Sequence, residues 1–167
     1  MKSKKLSALS GKTYSGRWSF DNSTKPGAEG EVITHYSYSY ATQLVALDMD
    51  GKIDKVYAAH DAGKIINKTL FEGQIQGAIH MGLGYTLSED LPMVNGFLKS
   101  TKFRDLGLLS ISDMPDVVVI GVEEKDPLGP YGAKGVGEIG LVPTAAAVCN
   151  ALCQFDGKRR LVLPLKE

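Results

Sequence analysis

The residues best suited to chemistry lie in one glycine-rich run near the end of the chain. Residues 130–138 read PYGAKGVGE, with three glycines, one cation and one carboxylate directly ahead of an apolar helical pattern. Glycine lets the backbone approach a ligand closely, and successive N–H groups ahead of a helix form a concavity that binds anions. A phosphate group or the edge of a pterin fits such a concavity. Glu138 follows at once, so a carboxylate able to transfer a proton would lie beside the bound group.

Each of these residues also has a purely structural interpretation. Spacing alone favours Glu138 as a carboxylate at the start of a helix, where the helix dipole stabilises negative charge. Lys134 by itself is typical of a solvated surface lysine. We therefore assign the predicted anion contacts to backbone N–H groups and not to the ammonium. The four N–H groups belong to Lys134, Gly135, Val136 and Gly137.

A second candidate group lies on a helix predicted over residues 67–87, with Asn67 as its N-cap. Several glycines share one face of this helix, namely Gly73, Gly77 and Gly84. Each interior glycine costs a helix roughly 0.5 to 1 kcal/mol relative to alanine, so this face indicates close contact with backbone or a ligand. Gln74 lies on the same face, and its amide offers donors and an acceptor to a flat heterocycle. Taken alone, Gln74 is equally typical of a solvent-facing helix residue.

Strand patterns precede this helix. Apolar side chains alternate from residue 32 to Met49 with one change of phase, which predicts a long strand with a bulge. Asp50 and Gly51 predict a type I′ turn, and residues 52–59 predict the returning strand of a hairpin. Asp61 is expected to cap the turn that follows.

The second half of the chain predicts further strands and one more helix. Residues 97–103 are interpreted as a strand, and residues 116–123, with a continuous apolar run, as a strand buried on both faces. Pro143 suits position N1 of a final helix that Gly157 ends. Residues 161–165 are expected to add a short edge strand. Strands and helices without regular alternation predict an α+β fold, with a mixed or antiparallel sheet and two main helices.

Composition limits the classes of protein to consider. The chain has 167 residues, of which 43% are hydrophobic, and its 19 basic and 19 acidic residues cancel. This supports one globular domain and no nucleic-acid partner. Because no apolar run approaches the ~20 residues that span a bilayer, we expect no membrane partner and a cytoplasmic location. Residues 1–31 are interpreted as a flexible or irregular arm with Trp18 and Phe20 as candidate anchors, and residues 32–167 as the domain.

The cysteines and histidines do not form a recognisable metal site. Cys149 and Cys153 are four residues apart within a helical pattern, which favours reduced core thiols over ligands. His60 and His80 are expected to be hydrogen-bonded structural residues, because neither has a second ligand four residues later. We therefore predict no metal ligands in this chain. It also lacks an iron–sulfur C-x-x-C spacing, a G-x-G-x-x-G motif and a P-loop.

The glycine run also carries a family resemblance. Residues 132–138, GAKGVGE, resemble the final active-site motif of the molybdenum hydroxylases, the xanthine dehydrogenase and aldehyde oxidase family. Other segments stand in the order that the family shows: AHDAG at 59–63, FEGQIQGA at 71–78, DMP at 113–115 and DPLGP at 126–130. The chain resembles the C-terminal part of the molybdopterin-binding large subunit, and is most similar to the selenium-dependent bacterial xanthine dehydrogenase type.

The resemblance implies a function for each candidate group. Glu138 would be the catalytic base, and Gln74 would hydrogen-bond the pterin of a molybdenum-molybdopterin cofactor, for which the cytosine dinucleotide form is one candidate. The implied reaction is hydroxylation of a purine, another N-heterocycle or an aldehyde. The implied partners are the upstream part of the large subunit and iron–sulfur and flavin modules, with 2Fe-2S and FAD on other domains or chains. The isolated chain is then expected to be inactive.

A second interpretation belongs to a different class of protein. The chain would be a non-catalytic remnant or an assembly module that binds a pterin, a nucleotide or only a partner chain.

Overall fold

The computed structural model describes residues 8, 10–17, 19, 23–32 and 37–165. The chain divides into two units, Met1–Tyr36 and Ser37–Glu167. The described residues of the first unit form turns and irregular chain, and nearly all of them are exposed. Trp18 and Phe20, the candidate anchors of this arm, lie outside the described residues.

The second unit contains the secondary structure that positions the candidate site. In chain order its elements are β1 (Ala41–Leu47), β2 (Ile53–Asp61), α1 (Lys68–Leu87), β3 (Met93–Val94), β4 (Phe97–Leu98), β5 (Asp116–Val122) and α2 (Thr144–Asp156). Strand β2 lies in the centre of a three-stranded sheet, antiparallel to β1 and parallel to β5. A parallel pair requires a crossover connection, which here contains α1. The mixed sheet and the two main helices confirm the predicted α+β fold.

The core lies between one face of the sheet and the two helices. Its buried members are Val45, Val56, Ala58, Ala62, Phe71, Ile75, Ile79, Leu83 and Val148. The members on α1 recur every four residues and so share one helix face, whereas those on β2 alternate, as the period of a strand requires. Burial of each large side chain stabilises the fold by about 1.5 to 3 kcal/mol. This core fixes α1 and the sheet as the frame of the site.

Two glycines bring the chain around α2 close to α1. A Cβ atom on Gly82 would lie 2.7 Å from Cβ of the fully buried Thr144, and one on Gly140 would lie 2.7 Å from Cβ of Ala78. The Thr144 hydroxyl also donates to Gly140 O at 3.2 Å. The segment just before α2 is therefore packed directly on α1, which sets where the following chemistry can occur.

Predicted helix ends agree closely with the structure. Asn67 caps α1, because its Oδ1 accepts a hydrogen bond from Leu70 N at 3.0 Å, and Gly157 ends α2 with φ of +74°. Pro143, which was predicted at N1 of α2, occupies the N-cap, one position earlier in the helix. The thiols of Cys149 and Cys153 are free, as predicted, although they are only half-buried.

The first predicted strand is shorter than its alternating pattern indicated. Strand β1 begins at Ala41, which pairs with His60, and residues 37–40 before it are irregular. Because β2 ends at Asp61, the chain ahead of Ala41 has no continuing partner strand. Residues 33–36 of the predicted strand lie outside the described residues. The irregularity in register lies between Ala46 and Leu47, near the end of β1.

The hairpin turn also differs from the prediction. A type I′ turn requires positive φ at both central residues. Here Gly51 has φ of +80°, whereas Asp50 is not among the residues with positive φ. The side chain of Asp48 stabilises the observed turn, since its Oδ1 accepts from the N–H groups of Asp50 and Lys52 at 2.9 Å each.

The prediction that β5 is buried on both faces is wrong for this chain. Its outward side chains Val118, Ile120 and Val122 are 39%, 48% and 44% exposed. Strand β5 lies at the edge of the sheet, and the described residues place no layer over its outer face.

The two other predicted strands are also corrected. The strand expected at residues 97–103 is reduced to the two-residue β4, which forms a small hairpin with β3. Asn95 and Gly96 join them with φ of +51° and +81°, the signs that a type I′ turn requires. Residues 161–165 are irregular, and Leu165 N donates to Thr86 O at 2.7 Å, so this segment docks on α1 and does not extend the sheet.

One stretch, Glu138–Asp156, is a candidate membrane span by length and composition. The helix within it, α2, has 13 residues. At a rise of 1.5 Å per residue it is about 20 Å long, shorter than the ~30 Å hydrocarbon core of a bilayer. Its residues Thr144 and Val148 are fully buried in the protein core. The stretch is therefore only weak support for a membrane span.

Two glycine substitutions on α1 test this packing. Gly82→Ala should lower the free energy of unfolding by about 1 to 3 kcal/mol, because the new methyl group overlaps Thr144. Gly73→Ala is the matched control, since nothing lies within 4 Å of its Cβ position and alanine is the better helix former. It should raise the free energy of unfolding by about 0.5 to 1 kcal/mol. Urea unfolding of the three chains measures both changes, and equal effects of the two substitutions would contradict the packing.

Candidate functional site

The two candidate segments meet at one hydrogen bond. Gln74 Nε2 on α1 donates to Gly137 O at 3.2 Å, although 63 residues separate them along the chain. Gly135 and Gly137 have nothing within 4 Å of their Cβ positions, and Gln74 is exposed. The structure thus brings the predicted amide and the predicted glycine run to one open surface.

The glycine face of α1 borders this surface. Gly73 and Gly77 lie opposite the core face of the helix, and nothing lies within 4 Å of either Cβ position. Leu70 and Met81 on the same side are 71% and 46% exposed. Gly84 differs, because its Cβ position is filled by the side chain of Glu89. The described chain therefore leaves Gly73 and Gly77 open to a ligand or to another segment.

Lys134 is not the solvated surface lysine that its residue type indicated. Its ammonium lies 2.5 Å from Asp61 Oδ2 and donates to Tyr38 O at 2.8 Å. The Lys134 and Asp61 side chains are only 8% and 5% exposed. The Lys134 backbone N–H donates to Ala62 O at 3.0 Å. The backbone N–H and two of the three ammonium hydrogens are thus bonded within the chain, so the predicted backbone contact of Lys134 has no free donor in this structure.

Asp61 is the anionic partner in this pair. Burial by itself would raise the pKa of Asp61, but hydrogen bonds from the Lys134 ammonium and the Gly63 N–H hold that pKa below its usual range. The bond from Gly63 N to Asp61 Oδ1 is 2.9 Å long and confirms the predicted cap of this turn. Asp61 therefore stays ionised at neutral pH and keeps Lys134 paired.

The chain just before Lys134 is braced by backbone contacts. Lys64 N and Asp126 N both donate to Gly132 O, at 2.8 and 3.1 Å. Gly63, with φ of +58°, passes so near Gly132 O that a Cβ there would overlap it. Tyr131 adopts a left-handed conformation with φ of +58° inside this loop. The motif segments around residues 63 and 132 are thus fixed against each other.

A buried polar pair holds the other end of the glycine run. Gln43 Nε2 donates to Gly140 O at 2.7 Å and lies 3.3 Å from His60 Nε2. If Gln43 donates to the imidazole as well, Nε2 of His60 is the acceptor and Nδ1 carries the proton. His60 is fully buried, and burial lowers its pKa. The expected structural hydrogen bond of His60 is confirmed, whereas His80 Nε2 has no partner among the described residues.

Gln43 is a site residue that sequence reasoning missed. Its signal was a single amide at an inward position of β1, two residues before the buried Val45. A polar side chain at a core position needs a hydrogen-bond partner, so this position indicated a buried polar contact.

Glu138 is the first residue of the 3-10 turn Glu138–Gly140 and is exposed. Its carbonyl accepts from Leu141 N at 3.0 Å, and the described residues give its carboxylate no hydrogen bond. Helix α2 begins at Thr144, beyond a separate turn, so Glu138 does not lie in the first turn of that helix. The structural interpretation of Glu138 as a carboxylate at a helix start therefore applies to the short 3-10 turn and not to α2.

These groups fit a planar, polar ligand such as a pterin. The N–H groups of Gly135, Val136 and Gly137 have no acceptor in the part of the chain that the structure describes. Gln74 keeps its Oε1 and one amide hydrogen free beside them. In the same described part, no group of three or more His, Cys, Asp or Glu side chains is arranged to hold a metal ion. The available chemistry is therefore hydrogen bonding to a cofactor, with a carboxylate beside it.

The fold and the site together define a cofactor-binding α+β domain, and comparisons with known proteins give its family. A family model, the molybdopterin cofactor-binding domain, matches residues 3–115. The putative xanthine dehydrogenase molybdenum-binding subunit of Escherichia coli K12 is 30% identical over 157 residues, which cover 93% of this chain and 20% of that protein.

Solved structures agree with this match. The aldehyde oxidoreductase of Desulfovibrio desulfuricans is 34% identical with a TM-score of 0.64, over 72% of this chain and 14% of that one. Quinoline 2-oxidoreductase of Pseudomonas putida 86 is 30% identical with a TM-score of 0.62, over 68% and 15%. The chain belongs to the molybdenum hydroxylase family of xanthine dehydrogenases and aldehyde oxidoreductases, as part of its molybdopterin-binding domain. It spans a fifth or less of the length of these relatives.

The family match does not by itself assign roles to residues. The segment matched by the family model contains Gln74 but ends before residues 132–138. The roles of Glu138 and the glycine run stay predictions, and the geometry above is what supports them.

The buried His60 makes the stability of the chain depend on pH. Its pKa is 6.5 when unfolded and lower when folded, so below pH 6.5 the unfolded chain binds a proton that the folded chain does not. The free energy of unfolding should therefore fall as the pH drops from 7 to 5, by up to about 1.4 kcal/mol per pH unit. His60→Gln should remove this part of the slope, and His80→Gln should keep it. Urea unfolding across this range measures the slopes, and equal slopes for wild type and His60→Gln would refute the prediction.

Proposed function

We propose that the chain forms one wall of the molybdopterin site of a molybdenum hydroxylase and supplies its catalytic base, Glu138. The observation that carries this proposal is the hydrogen bond from Gln74 to Gly137 O, at 3.2 Å. It joins two distant motif segments on a single surface that is lined by glycine and open to a ligand. Similarity to a xanthine dehydrogenase subunit and to aldehyde and quinoline oxidoreductases supports the same class of reaction.

The residues of this wall bind and orient the cofactor. When bound, the molybdopterin cofactor supplies the redox chemistry, which amino-acid side chains lack. The N–H groups of Gly135, Val136 and Gly137 donate to its polar edge. The Gln74 amide forms hydrogen bonds with the same edge, as both a donor and an acceptor. Lys134 contributes by holding the chain in place, because its backbone N–H and two of its three ammonium hydrogens are bonded within the chain.

Glu138 supplies the proton acceptor. Its carboxylate is exposed on this surface and carries no hydrogen bond within the described chain, so an oxygen is available to take a proton. The fixed turn Glu138–Gly140 holds its backbone in place, which positions the base without occupying it. The proposed substrate is a purine, another N-heterocycle or an aldehyde, whose activated carbon becomes hydroxylated.

The proposed assembly is larger than this chain. The chain covers 20% of the Escherichia coli relative, and the outer face of β5 carries exposed Val118, Ile120 and Val122. Apolar side chains that are neighbours in one sheet favour burial under another layer. We infer that the rest of the large subunit supplies that layer and that iron–sulfur and flavin modules accept the electrons. The proposed location of this assembly is the cytoplasm. The cytosine dinucleotide form of the cofactor and the selenium-dependent subgroup stay predictions from sequence resemblance.

Glu138→Gln tests the proposed base in the assembly that contains this segment. Glutamine keeps the volume of the side chain but does not accept the proton. The rate of metal reduction by substrate should fall by ~10² to 10⁴-fold, with cofactor content nearly unchanged. Stopped-flow reduction at matched cofactor content measures this rate, and Glu124→Gln, the same change at another exposed carboxylate, is the control. If the rate for Glu138→Gln is within about threefold of wild type, Glu138 is not the base, since loss of a general base lowers the rate far more.

Gly77→Leu tests the proposed cofactor face of α1. Because nothing lies within 4 Å of the Gly77 Cβ position, the isolated chain should fold normally with leucine there. In the assembly the same side chain should enter space beside the cofactor and lower the retained pterin. Gln76→Leu places the same side chain about 100° around the helix and is the control. Pterin fluorescence after release measures the content, and equal content in both variants would place the cofactor elsewhere.

A further inference from the structure

The segment that carries Gly135 to Glu138 is held at one end by Asp61 of β2 and at the other by Gln43 of β1, which His60 of β2 contacts. At one end Asp61 pairs with the Lys134 ammonium at 2.5 Å. At the other end His60 pairs with Gln43, which donates to Gly140 O at 2.7 Å. Gln43 and Asp61 lie on the paired strands β1 and β2, so this strand pair fixes both limits of a seven-residue segment.

Between these limits the segment has few restraints of its own. Gly135, Gly137 and Glu138 are exposed, and nothing lies within 4 Å of either glycine Cβ position. Val136 and Ile139 pack against the core and are partly buried, and Gln74 Nε2 donates to Gly137 O at 3.2 Å. Glycine loses more conformational freedom on ordering than any other residue, so such a segment needs fixed ends to keep one geometry.

The Asp61–Lys134 pair and the His60–Gln43 pair are called the anchors below. Stability alone does not explain either anchor, because burying their polar groups is unfavourable. The Asp61 and Lys134 side chains are 5% and 8% exposed, and removing two charges from water offsets most of their attraction. His60 is fully buried, and its Nδ1 has no partner among the described residues. A buried polar group of this kind lowers stability, and its documented benefit is to specify one arrangement of the chain.

We propose that Asp61 with Lys134, and His60 with Gln43, are positioning residues that orient the N–H groups of the glycine run and the backbone of Glu138. The Lys134 ammonium is fixed from two sides, since Tyr38 O accepts from it at 2.8 Å in addition to Asp61. Gly140 O is likewise fixed from two sides, by Gln43 and by the Thr144 hydroxyl. The catalytic meaning of this arrangement rests on the proposed function, but the ordering of the segment is a property of the chain itself.

The ordering is tested on the 167-residue chain, without metal or cofactor. Gln43→Met removes the donor to Gly140 O, and the double variant Asp61→Leu/Lys134→Met replaces the ion pair with an apolar pair that avoids an unpaired buried charge. The control is Lys64→Met, which removes an exposed lysine–glutamate pair, Lys64 with Glu123 at 2.9 Å, that does not hold the segment. If the double variant does not fold, the order parameters of the Gln43→Met variant alone test the proposal.

The measurement is ¹⁵N relaxation of the Gly135 and Gly137 amides, together with the melting temperature. In the anchor variants the order parameters should fall from about 0.85 to below about 0.6, while the control keeps the wild-type values. A role in stability alone would move the melting temperature and leave these order parameters unchanged in the folded variants. Unchanged order parameters in folded anchor variants overturn the proposal.

A second measurement separates this proposal from the proposed function. In the complete assembly at matched cofactor content, the anchor variants should reduce the metal with substrate about 10²-fold more slowly, since a misplacement of 1 Å has that effect. Mobile glycines with an unchanged rate overturn the catalytic role of the anchors. If Glu138→Gln keeps its rate, the base assignment fails, whereas the relaxation result still supports or overturns the ordering by the anchors.

Discussion

The buried ion pair between Asp61 and Lys134 is the interaction on which the candidate site depends. It joins the end of β2 to the start of the glycine run, and both charges are buried, with the Gly63 N–H and Tyr38 O as further partners. Because an unpaired charge in this position would be strongly unfavourable, the chain has one arrangement in which both are satisfied. Gln43 and His60 act in the same way on Gly140, with dipoles in place of charges. The exposed groups between these anchors are therefore ordered by contacts on the protein side, which leaves their solvent side free for a ligand.

The glycines of α1 serve two different purposes on two faces of one helix. On the core side, Gly82 admits Thr144 and so lets α2 approach closely. On the opposite side, Gly73 and Gly77 meet nothing within 4 Å, although each one weakens the helix. Packing inside the chain explains the first glycine but not the other two. The flat cofactor proposed above would explain Gly73 and Gly77, since only a surface without Cβ atoms allows that approach.

The exposed apolar surface of the chain agrees with the larger assembly proposed above. The inner face of the sheet is covered by both helices, whereas the outer side of β5 and the β3–β4 hairpin expose large apolar side chains. The match to this chain covers 20% of the Escherichia coli relative, so the rest of that protein has ample sequence to bury such side chains. The core of this unit is nevertheless complete on its inner side, because the period of α1 and the alternation of β2 place their buried residues on facing surfaces.

Local rules in the sequence determined the helices and the order of the elements, whereas the chemistry of the glycine run stays a prediction. Asn67 and Gly157 mark helix ends through their own backbone and side chain, so the neighbouring residues were sufficient to predict them. Asn95 and Gly96 likewise mark the turn of the β3–β4 hairpin through their own left-handed backbone. Tertiary structure alone decided that Lys134 is buried, that β5 is half-exposed and that Gln43 reaches Gly140. The physical reason is that burial and pairing depend on residues 73 or 97 positions away along the chain, which no local pattern specifies.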